Sequence, residues 1–453
     1  MKTRLMLIFI VVLLGVAPAF AEKAQVIVKL DSRIDVKEVK TVARFMGGRV
    51  LDEIPRQHLF LIEVPEKLAA NARFFGVHSW EHNRVVQRKL NAVKGFIVSA
   101  PALMPQWYYT QPALTRIGRP AAQLVSTGRG VVIADINSSV DYAHPALTGA
   151  LTSGYDFILG RPYTVTTGLI LNQSDVAFLD QSDVAFLDQS DVAFLDAALT
   201  ASGADAATTN FITTSGVTAV SASTLGPQVK QPGYSHGTLC AGVIHSIAPD
   251  SMIMPVRAFD DDGNSDLFTL AKAIDFAVAN HAQVINLSFG LGSDSDTVKT
   301  SIQAAVNAGI TVIASAGNAN SLVDQYPAAY PGVLSVAAID NSDLKAAFSN
   351  YSPSVDVSAP GVNVISSFPG GYYGIISGTS FSAPIVAGEA ALLRAVLKDP
   401  LTAIPQNTVN INALNVSYVG GLGTGRVDLS QAVGTPTMPP PPPLPPPPPP
   451  VLP

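Results

Sequence analysis

Ser380 is the residue of this 453-residue chain whose surroundings point most directly to chemistry. It lies in the segment SGTSFSAPIVAG (377–388), where a turn of small residues leads into an apolar helix. Small neighbours let a substrate backbone approach, and the positive end of the helix stabilises a developing oxyanion, so this serine is a candidate nucleophile. A single motif of this kind is more often a capped helix, so the assignment depends on partners elsewhere in the chain.

Asp135 and His236 are the candidate partners. The apolar run VVIAD ends at Asp135, as a buried parallel strand does when it presents a carboxylate at its carboxyl end. His236 lies in YSHGTLCAGVI (234–244), just before a helix-like apolar stretch. A serine hydroxyl becomes a good nucleophile when an imidazole takes its proton, and a carboxylate fixes the tautomer of that imidazole. We therefore predict a catalytic triad with His236 as the general base.

The order Asp, His, Ser, together with a fourth motif, IASAGNAN at 313–320, resembles the subtilisin-like serine peptidases (subtilases) over residues of about 106–433. The resemblance implies hydrolysis of a protein or peptide substrate, with the side-chain amide of Asn318 stabilising the oxyanion. It also implies two segments that flank the S1 pocket, which holds the substrate side chain on the acyl side of the scissile bond: Ser288, Phe289, Gly290, Ala314, Ser315, Ala316 and Gly317. Since neither segment is charged, we expect an apolar or aromatic side chain in this pocket.

Two of the motifs depart from the family pattern. The usual D-T-G or D-S-G is Asp135, Ile136 and Asn137 here, which lacks a glycine and a hydroxyl that can support the carboxylate. The usual H-G-T-H ends in Leu239. Because no member of the triad is lost, we expect these changes to affect the rate and the pH optimum more than the reaction.

Two other functions are alternatives to a subtilisin-like peptidase. A catalytically inactive subtilase fold would act as a binding module, and failure of a fluorophosphonate to label Ser380 would identify it. A sedolisin-like acid peptidase has a similar SGTS motif but uses a glutamate base. Residues 101–453 contain a single glutamate, Glu389, just after the nucleophile, and this disfavours the second alternative.

The catalytic region alternates apolar runs with helical segments. This pattern predicts an α/β fold with a doubly wound, mostly parallel sheet and helices on both faces. The predicted strands are 131–135, 252–257, 283–288, 310–315 and 333–339, and the predicted helices are 266–281 and 296–308. Active residues should gather at the carboxyl ends of these strands.

The amino-terminal region predicts two segments that precede the peptidase domain. Residues 1–21 combine Lys2 and Arg4 with an apolar core and an Ala-Phe-Ala ending, which is typical of a secretory signal peptide and predicts a secreted (extracellular or periplasmic) protein without a membrane span in its mature form. Residues 22–100 contain the runs QVIVKL and HLFLIEV around a predicted helix at 36–46, a pattern that favours a small α+β domain. Its position resembles that of an inhibitor-type propeptide, the enzyme's own intramolecular inhibitor.

The net charge of the chain changes sign at the predicted end of the propeptide, residue 100. Residues 22–100 carry 14 Lys and Arg against nine Asp and Glu, a net charge of +5, whereas residues 101–453 carry 12 against 25, a net charge of −13. Opposite charge favours association of the propeptide with the domain that follows it. The acidic balance disfavours nucleic acid as a partner. We expect the mature protein to be a monomer.

The predicted peptidase domain, 101–435, contains a predicted surface insertion at about 150–230. The octapeptide QSDVAFLD occurs three times in tandem within it, at 173–196, and three such short units bury little surface. The remaining residues, 436–453, are almost all proline and predict an extended polyproline II tail.

The sequence predicts no cofactor for the chemistry and no catalytic metal. His144, His245 and His281 lack a second ligand at metal spacing. The carboxylate-rich run FDDDGNSD at 259–266 leaves a structural calcium open, although a turn followed by a helix cap at Ser265 or Asp266 is the simpler interpretation. Cys240 is the single cysteine, and we interpret it as a buried structural residue beneath His236.

Overall fold

The computed structural model describes residues 22–31, 36–69, 77–87, 96–99, 106–163, 218–219 and 235–434. The predicted signal peptide, the tandem repeats and the proline-rich tail lie outside the described residues.

The described residues form the following strands and helices, each set in chain order. The strands are β1 (Lys23–Leu30), β2 (Arg49–Ile54), β3 (Leu59–Pro65), β4 (Val77–His82), β5 (Val85–Gln87), β6 (Phe96–Ser99), β7 (Val132–Asn137), β8 (Gly154–Asp156), β9 (Arg161–Tyr163), β10 (Thr218–Ala219), β11 (Met252–Arg257), β12 (Asn264–Asp266), β13 (Val284–Leu287), β14 (Thr311–Ser315), β15 (Val333–Ile339), β16 (Val357–Pro360), β17 (Val364–Phe368), β18 (Tyr372–Ile376), β19 (Thr408–Val409) and β20 (Arg426–Val427). The helices are α1 (Val36–Phe45), α2 (Glu66–Ala69), α3 (Gln106–Thr110), α4 (Pro112–Arg116), α5 (Arg119–Ala122), α6 (His236–Ile247), α7 (Leu267–Ala279), α8 (Asp296–Asn307), α9 (Thr379–Ala395), α10 (Pro400–Gln406) and α11 (Leu429–Val433).

The largest sheet has ten strands in the order β19-β20-β16-β15-β14-β13-β7-β11-β8-β9. Its pairs from β20 to β8 are parallel, and the pairs at its two ends are antiparallel. Strands β13, β14 and β15 are buried along their whole length, which explains why their sequences are continuous apolar runs.

Helices cover both faces of this sheet, and alternate strand residues contact opposite layers. Ile133 of β7 packs in one cluster with helices α6 and α9, whereas the next residue, Ala134, packs in a second cluster with α7 and α8. Side chains of a strand point to opposite faces in turn, so a two-sided core is the consequence. The predicted doubly wound, mostly parallel α/β fold is confirmed.

The amino-terminal module is a small antiparallel sheet in the order β2-β3-β1-β4, with α1 against one face. The inner residues of β1 and β3 form a core of their own with Val39 of α1. On the opposite face, Ile27, Ile54 and Leu59 join the apolar cluster that contains α7 and α8. The module is therefore an α+β domain, as predicted, and it packs on the helices of the larger unit.

Two parts of the predicted domain organisation need correction. The region from 150 was predicted to be a surface insertion, but β8 pairs in parallel with β11 and belongs to the large sheet. Strand β6, at the end of the predicted propeptide, pairs with β18 of the catalytic region and not with the small sheet. Strands of three or four residues carry little periodicity, and this is why the sequence pattern did not identify their pairing.

The described residues contain no single helix long and apolar enough to cross a membrane. Helices α9 and α10 pass such a test as a pair, by length and composition, with a bend of 117° between them.

Candidate active site

The three predicted triad residues stand at the ends of three elements. Asp135 lies near the carboxyl end of the buried strand β7, His236 is the first residue of α6, and Ser380 is the second residue of α9. Gly378, which precedes α9, has a φ of +153°, a conformation that L side chains rarely adopt. The turn that delivers Ser380 therefore requires the glycine of the SGTS motif.

Two side-chain amides donate to the carboxylate of Asp135, which is fully buried. Asn286 Nδ2 lies 2.8 Å from Oδ1, and Asn137 Nδ2 lies 3.2 Å from Oδ1 and 3.4 Å from Oδ2. Hydrogen bonds to a carboxylate are stronger than those between neutral groups, and they offset the cost of burying the charge. Asn137 therefore supplies support that the departure from the family motif was expected to remove.

His236 is buried and is held by a polar and a sulfur contact. Its Nδ1 lies 2.7 Å from Asn137 Oδ1 and 3.4 Å from the sulfur of Cys240. The ring packs against Phe381, with 5.3 Å between the ring centroids. Since Phe381 directly follows Ser380, this packing brings the imidazole to the amino-terminal end of α9.

Ser380 makes hydrogen bonds through both its hydroxyl and its carbonyl. The hydroxyl donates to the carbonyl of Ser288 at 3.4 Å, and the Ser380 carbonyl accepts from Ser288 Oγ at 2.9 Å. The thiol of Cys240 also lies 3.5 Å from the Ser380 carbonyl. Cys240 thus contacts both His236 and the nucleophile's backbone, which supports the predicted structural role of this buried cysteine.

Asn318 lies beside the same turn, and its amide has a defined orientation. Its Oδ1 accepts from the backbone N–H of Thr379 at 2.9 Å and from the Thr379 hydroxyl at 2.8 Å. These two bonds fix the amide with its oxygen on Thr379, and its Nδ2 would lie 3.6 Å from a Cβ placed on Gly378. A donor in this position can stabilise negative charge that develops beside Ser380.

The two predicted S1 segments face each other across Gln325. A Cβ placed on Gly290 would lie 1.3 Å from Gln325 Nε2, and one placed on Gly317 would lie 1.7 Å from Gln325 Oε1. Asn350 Nδ2 donates to Gln325 Oε1 at 3.3 Å and to the Ala316 carbonyl at 2.9 Å. The amide of Gln325 therefore occupies the space between the two walls.

Sequence reasoning missed Asn286 and Gln325 as parts of this site. The sequence does contain a signal for Asn286, because it is the polar residue of the otherwise apolar, buried strand VINL. It contains no such signal for Gln325, since this residue lies in a loop and reaches the site only through the fold.

Three of the four carboxylates of the run at 259–266 are engaged by protein groups. Asp260 Oδ1 accepts from the backbone N–H of Asn264 at 2.7 Å, Asp261 pairs with Arg257 at 2.8 Å, and Asp266 caps α7 by accepting from the N–H of Thr269 at 2.9 Å. The predicted helix cap at Asp266 is confirmed. Among the described residues no group of three or more His, Cys, Asp and Glu side chains is arranged to hold a metal ion.

Comparison with known proteins places these motifs in a family. A model of the subtilase family matches residues 128–417. The chain is 39% identical over 178 residues to a thermostable alkaline protease of Halalkalibacterium halodurans, covering 36% of this chain and 49% of the relative. It is 39% identical over 176 residues to a subtilisin of Bacillus pumilus (36% and 64%), and 33% identical over 213 residues to subtilisin BL of Lederbergia lenta (45% and 78%).

A solved structure agrees at the level of the fold. Fervidolysin from Fervidobacterium pennivorans, described as a keratinolytic enzyme related to subtilisin, superposes with a TM-score of 0.66 over 93% of this chain and 63% of that chain, at 22% identity. The chain spans about half the length of the first curated relatives that it matches. With the family match over residues 128–417, the chain belongs to the subtilase family.

Proposed function

We propose that this chain is a secreted serine endopeptidase that hydrolyses peptide bonds through an acyl-enzyme. One observation carries the proposal: His236, bonded through Nδ1 to the Asn137 amide that also donates to Asp135, packs against the residue next to Ser380. The relatives are proteases, and the predicted signal peptide supports secretion.

The proposed reaction has two stages, acylation and deacylation. Ser380 Oγ attacks the substrate carbonyl carbon while His236 Nε2 takes its proton. The carbonyl oxygen becomes an oxyanion, which accepts from Asn318 Nδ2 and from the backbone N–H of Ser380. His236 then gives the proton to the leaving amine as the C–N bond breaks, and a water molecule, deprotonated by His236, hydrolyses the acyl-enzyme.

Active-site labelling tests the proposal against the inactive alternative. A fluorophosphonate should label the purified protein at Ser380, and the Ser380→Ala variant should remain unlabelled. Ser382→Ala is a matched control, because Ser382 lies two residues further along α9 and its hydroxyl bonds only to backbone carbonyls. A folded wild-type protein that takes up no label would favour the binding module.

We also propose that residues 22–100 are a propeptide that inhibits the enzyme. Strand β5 (Val85–Gln87) pairs antiparallel with β12 (Asn264–Asp266), so the module adds an extended strand to the catalytic unit in the way that peptides bind to sheet edges. Val86 is buried in the same apolar cluster as Phe289, a residue of the predicted S1 wall. We infer that this extended segment, added to the catalytic unit at β12, competes with substrate for the enzyme.

Polar contacts fix the module on two helices. Glu81 Oε2 accepts from Ser295 Oγ at 2.9 Å and from the N–H of Thr297 at 3.1 Å, at the beginning of α8. Asn83 Oδ1 accepts from the N–H of Phe268 at 3.1 Å, at the beginning of α7. Helix amino termini carry unsatisfied backbone N–H groups and partial positive charge. The module accepts hydrogen bonds from such N–H groups at the amino termini of both α7 and α8.

The pairing of β6 with β18 brings residues 96–99, close to the proposed boundary at residue 100, onto the catalytic region. The amino-terminal sequence of the mature secreted protein would test this boundary directly. A mature protein that begins at Glu22 would exclude a removable propeptide.

The substrate preference at P1 also follows from Gln325. Its amide narrows the predicted S1 pocket and brings hydrogen-bonding groups into it. We therefore propose a small or polar P1 side chain, in place of the apolar or aromatic one expected from the lack of charge in the walls.

A further inference from the structure

An exposed apolar surface forms where three loops of the catalytic unit meet. Four of its aliphatic side chains are more than half exposed, namely Val323 (74%), Leu414 (54%), Val416 (74%) and Val419 (61%). Two half-buried tyrosines, Tyr351 and Tyr418, belong to the same loops. We call these six residues the tyrosine surface. Apolar side chains that are exposed together, and not singly, mark sites of interaction.

The two tyrosine rings hold the three loops together. The rings of Tyr351 and Tyr418 pack edge to face, with 4.8 Å between their centroids. Lys345 Nζ lies 5.1 Å from the first centroid and 4.7 Å from the second, so one cation contacts both rings. The N–H of Tyr351 donates to the carbonyl of Ser321 at 3.0 Å, which brings the loop of Val323 to the same place. The three loops therefore present one surface.

The tyrosine surface is continuous with the predicted S1 wall. Ala316, a residue of that wall, belongs to an apolar core cluster against which Tyr351 and Tyr418 pack. Asn350, the residue before Tyr351, donates through Nδ2 to the Ala316 carbonyl at 2.9 Å. A substrate chain whose side chain fills the S1 pocket therefore has the tyrosine surface next to it.

The loop of Val323 also connects this surface to the catalytic groups. It begins after Asn318, the predicted oxyanion donor, and it contains Gln325, whose amide lies between the two S1 walls. One short loop thus contributes to the oxyanion site, to the S1 pocket and to the tyrosine surface.

The chemistry of the tyrosine surface favours a neutral, apolar partner. Besides its two ring contacts, the Lys345 ammonium donates to Asn320 Oδ1 at 2.8 Å and to the Ala346 carbonyl at 3.0 Å. Its charge is thus satisfied within the protein, and aliphatic side chains and tyrosine rings remain for a partner. Tyrosine is enriched among the residues that dominate protein interfaces. An acidic segment would be repelled by a region of net charge −13 (residues 101–453).

We propose that the tyrosine surface is an exosite, which binds an apolar segment of a protein substrate while another part of the same substrate chain occupies the S1 pocket. The proposal rests on the proposed peptidase function. A second contact on one substrate chain raises the effective concentration of the scissile bond at Ser380. Because the contact is the same before and during the chemical step, it lowers KM and leaves kcat unchanged. The preferred substrates are therefore chains with accessible apolar segments, such as unfolded proteins.

Peptides with matched extensions test the exosite by kinetics. Each peptide contains the same cleavable sequence and an extension of about ten residues at one end, which spans about 30–35 Å when extended. The extension is either apolar or built from Ser, Asn and Gly. The wild type should have a KM for the apolar peptide at least about 10-fold below that for the polar one, at similar kcat. In Val416→Ser/Val419→Ser the ratio of the two KM values should fall to about one. A ratio cancels any change in the catalytic site itself.

An exposed leucine far from this surface provides the matched control. Leu124 is 77% exposed and lies close to Ser126, whose hydroxyl donates to the carbonyl of Leu392 at 2.7 Å. Leu392 is about 18 Å along α9 from Ser380, at the rise of an α-helix. Leu124→Ser should keep the wild-type ratio of KM values. An unchanged ratio in Val416→Ser/Val419→Ser would overturn the proposal, and Leu414→Ser repeats the measurement if the double variant does not fold.

Binding to the Ser380→Ala protein tests the exosite without turnover. Fluorescence anisotropy with the labelled apolar peptide should show a Kd at least about 5-fold higher when Val416→Ser/Val419→Ser is added to this background. If no peptide is cleaved by the wild type but this difference in Kd is found, the proposed peptidase function fails and the apolar binding site stands. An equal Kd in the two proteins, with cleavage by the wild type intact, would refute the exosite alone.

Two other occupants of the surface are distinguished by the same assay. Deletion of residues 435–453 should leave the Kd of the apolar peptide unchanged, and tighter binding after the deletion would assign the surface to the proline-rich tail. Sedimentation at the concentrations of the assay should show a monomer. A dimer that Val416→Ser/Val419→Ser dissociates would assign the surface to a second copy of the chain. Either result would overturn the proposal.

Discussion

Asn318 and Thr379 are joined by two hydrogen bonds, from the backbone N–H of Thr379 at 2.9 Å and from its hydroxyl at 2.8 Å, and both end on Asn318 Oδ1. The same Thr379 hydroxyl accepts from the N–H of Gly317 at 3.2 Å. Thr379 therefore connects the predicted S1 wall, the oxyanion donor and the nucleophile's helix in one network. The direction of the Asn318 NH₂ group is set before any substrate binds, which is the condition for a preorganised oxyanion donor.

Removal of the Asn318 amide should slow the chemical step. We expect Asn318→Ala to lower kcat by about 10²- to 10³-fold, or about 2.7–4 kcal/mol, because the amide meets an oxygen whose charge develops only in the transition state. KM should change little. Asn320→Ala, two residues away on the surface, is the control. Steady-state kinetics on a peptide substrate would contradict the assignment if KM rose at constant kcat.

Removal of the nucleophile should abolish both turnover and self-processing. Ser380→Ala is expected to lower peptide hydrolysis by about 10⁶-fold, in line with the subtilisin example, while the fold is retained. If maturation is autocatalytic, the purified variant should also remain a full-length precursor on a denaturing gel. Complete processing of this variant in isolation would show that another protease cuts the chain.

Gln325 should control the choice of P1 side chain. Gln325→Gly removes the amide from between Gly290 and Gly317, so kcat/KM for a peptide with Phe at P1 should rise by at least about 10-fold relative to one with Ala at P1. Leu322→Ala, an exposed position of the same loop, should leave this ratio unchanged. A wild-type enzyme that already prefers Phe over Ala would show that Gln325 moves aside.

The sequence was sufficient for the fold class and for the four motifs. Asp135 and Ser315 end apolar runs, and the carboxyl ends of parallel strands share an edge, so the gathering of these segments follows from the pattern alone. Asn137 shows the limit of such reasoning. Its type suggested only that a glycine was lost, whereas the structure places its Oδ1 2.7 Å from Nδ1 of His236, a residue 99 positions away.

Gln325 and β8 show the same limit for different physical reasons. The sequence identified the two walls of the predicted S1 pocket because they lie next to strands. Gln325, which lies between these walls, belongs to a loop whose path is set by tertiary packing. Strand β8 has three residues, which are too few for a hydrophobic period to distinguish the strand from an insertion.

Glu389 and Asp428 should make the protein less stable at alkaline pH. Glu389 is fully buried in α9, and neither of its carboxyl oxygens has a hydrogen-bond partner among the described residues. Burial, and in addition the charge of Asp428, raise the pKa of Glu389 well above its ordinary value of 4.5. The folded state therefore keeps a proton that the unfolded state releases above pH 4.5, so stability falls as pH rises towards the pKa of the folded state.

Glu389→Gln should remove this loss, which is at most about 1.4 kcal/mol per pH unit for one proton. The free energy of unfolding of the two proteins should be compared from about pH 5 to about pH 9 in the Ser380→Ala background, which prevents self-digestion. In this range the buried His245, whose pKa is lowered to about 4 mainly by burial, is uncharged in the folded state. The surface change Glu66→Gln is the control. The same pH slope in Glu389→Gln and the wild type would show that Glu389 is not the group responsible.

Inhibition by the propeptide should depend on Glu81 more than on net charge. The amino-terminal module and the larger unit each contribute positively and negatively charged side chains to the interface. Arg56 of the module pairs with Asp275 at 2.9 Å, and Asp52 of the module pairs with Lys272. Net charges of +5 and −13 therefore describe long-range attraction and not the contacts themselves. Raising ionic strength from about 0.01 M to 0.15 M shortens the Debye length from roughly 30 Å to 8 Å, so the association rate constant should fall several-fold while the dissociation rate constant changes little.

Glu81→Ala should act on dissociation instead. The loss of two hydrogen bonds from a carboxylate at the beginning of α8 is expected to raise the inhibition constant of the added propeptide by about 10- to 100-fold, mainly through faster release. The exposed Glu66→Ala in the same module has the same change of charge and should leave release unchanged, so comparing the two variants separates contact from charge. An equal effect of both variants would mean that charge alone governs binding. At about micromolar concentration, a binding free energy near about 8 kcal/mol would be detected as inhibition. If the wild-type propeptide does not inhibit at this concentration, residues 22–100 are an accessory domain.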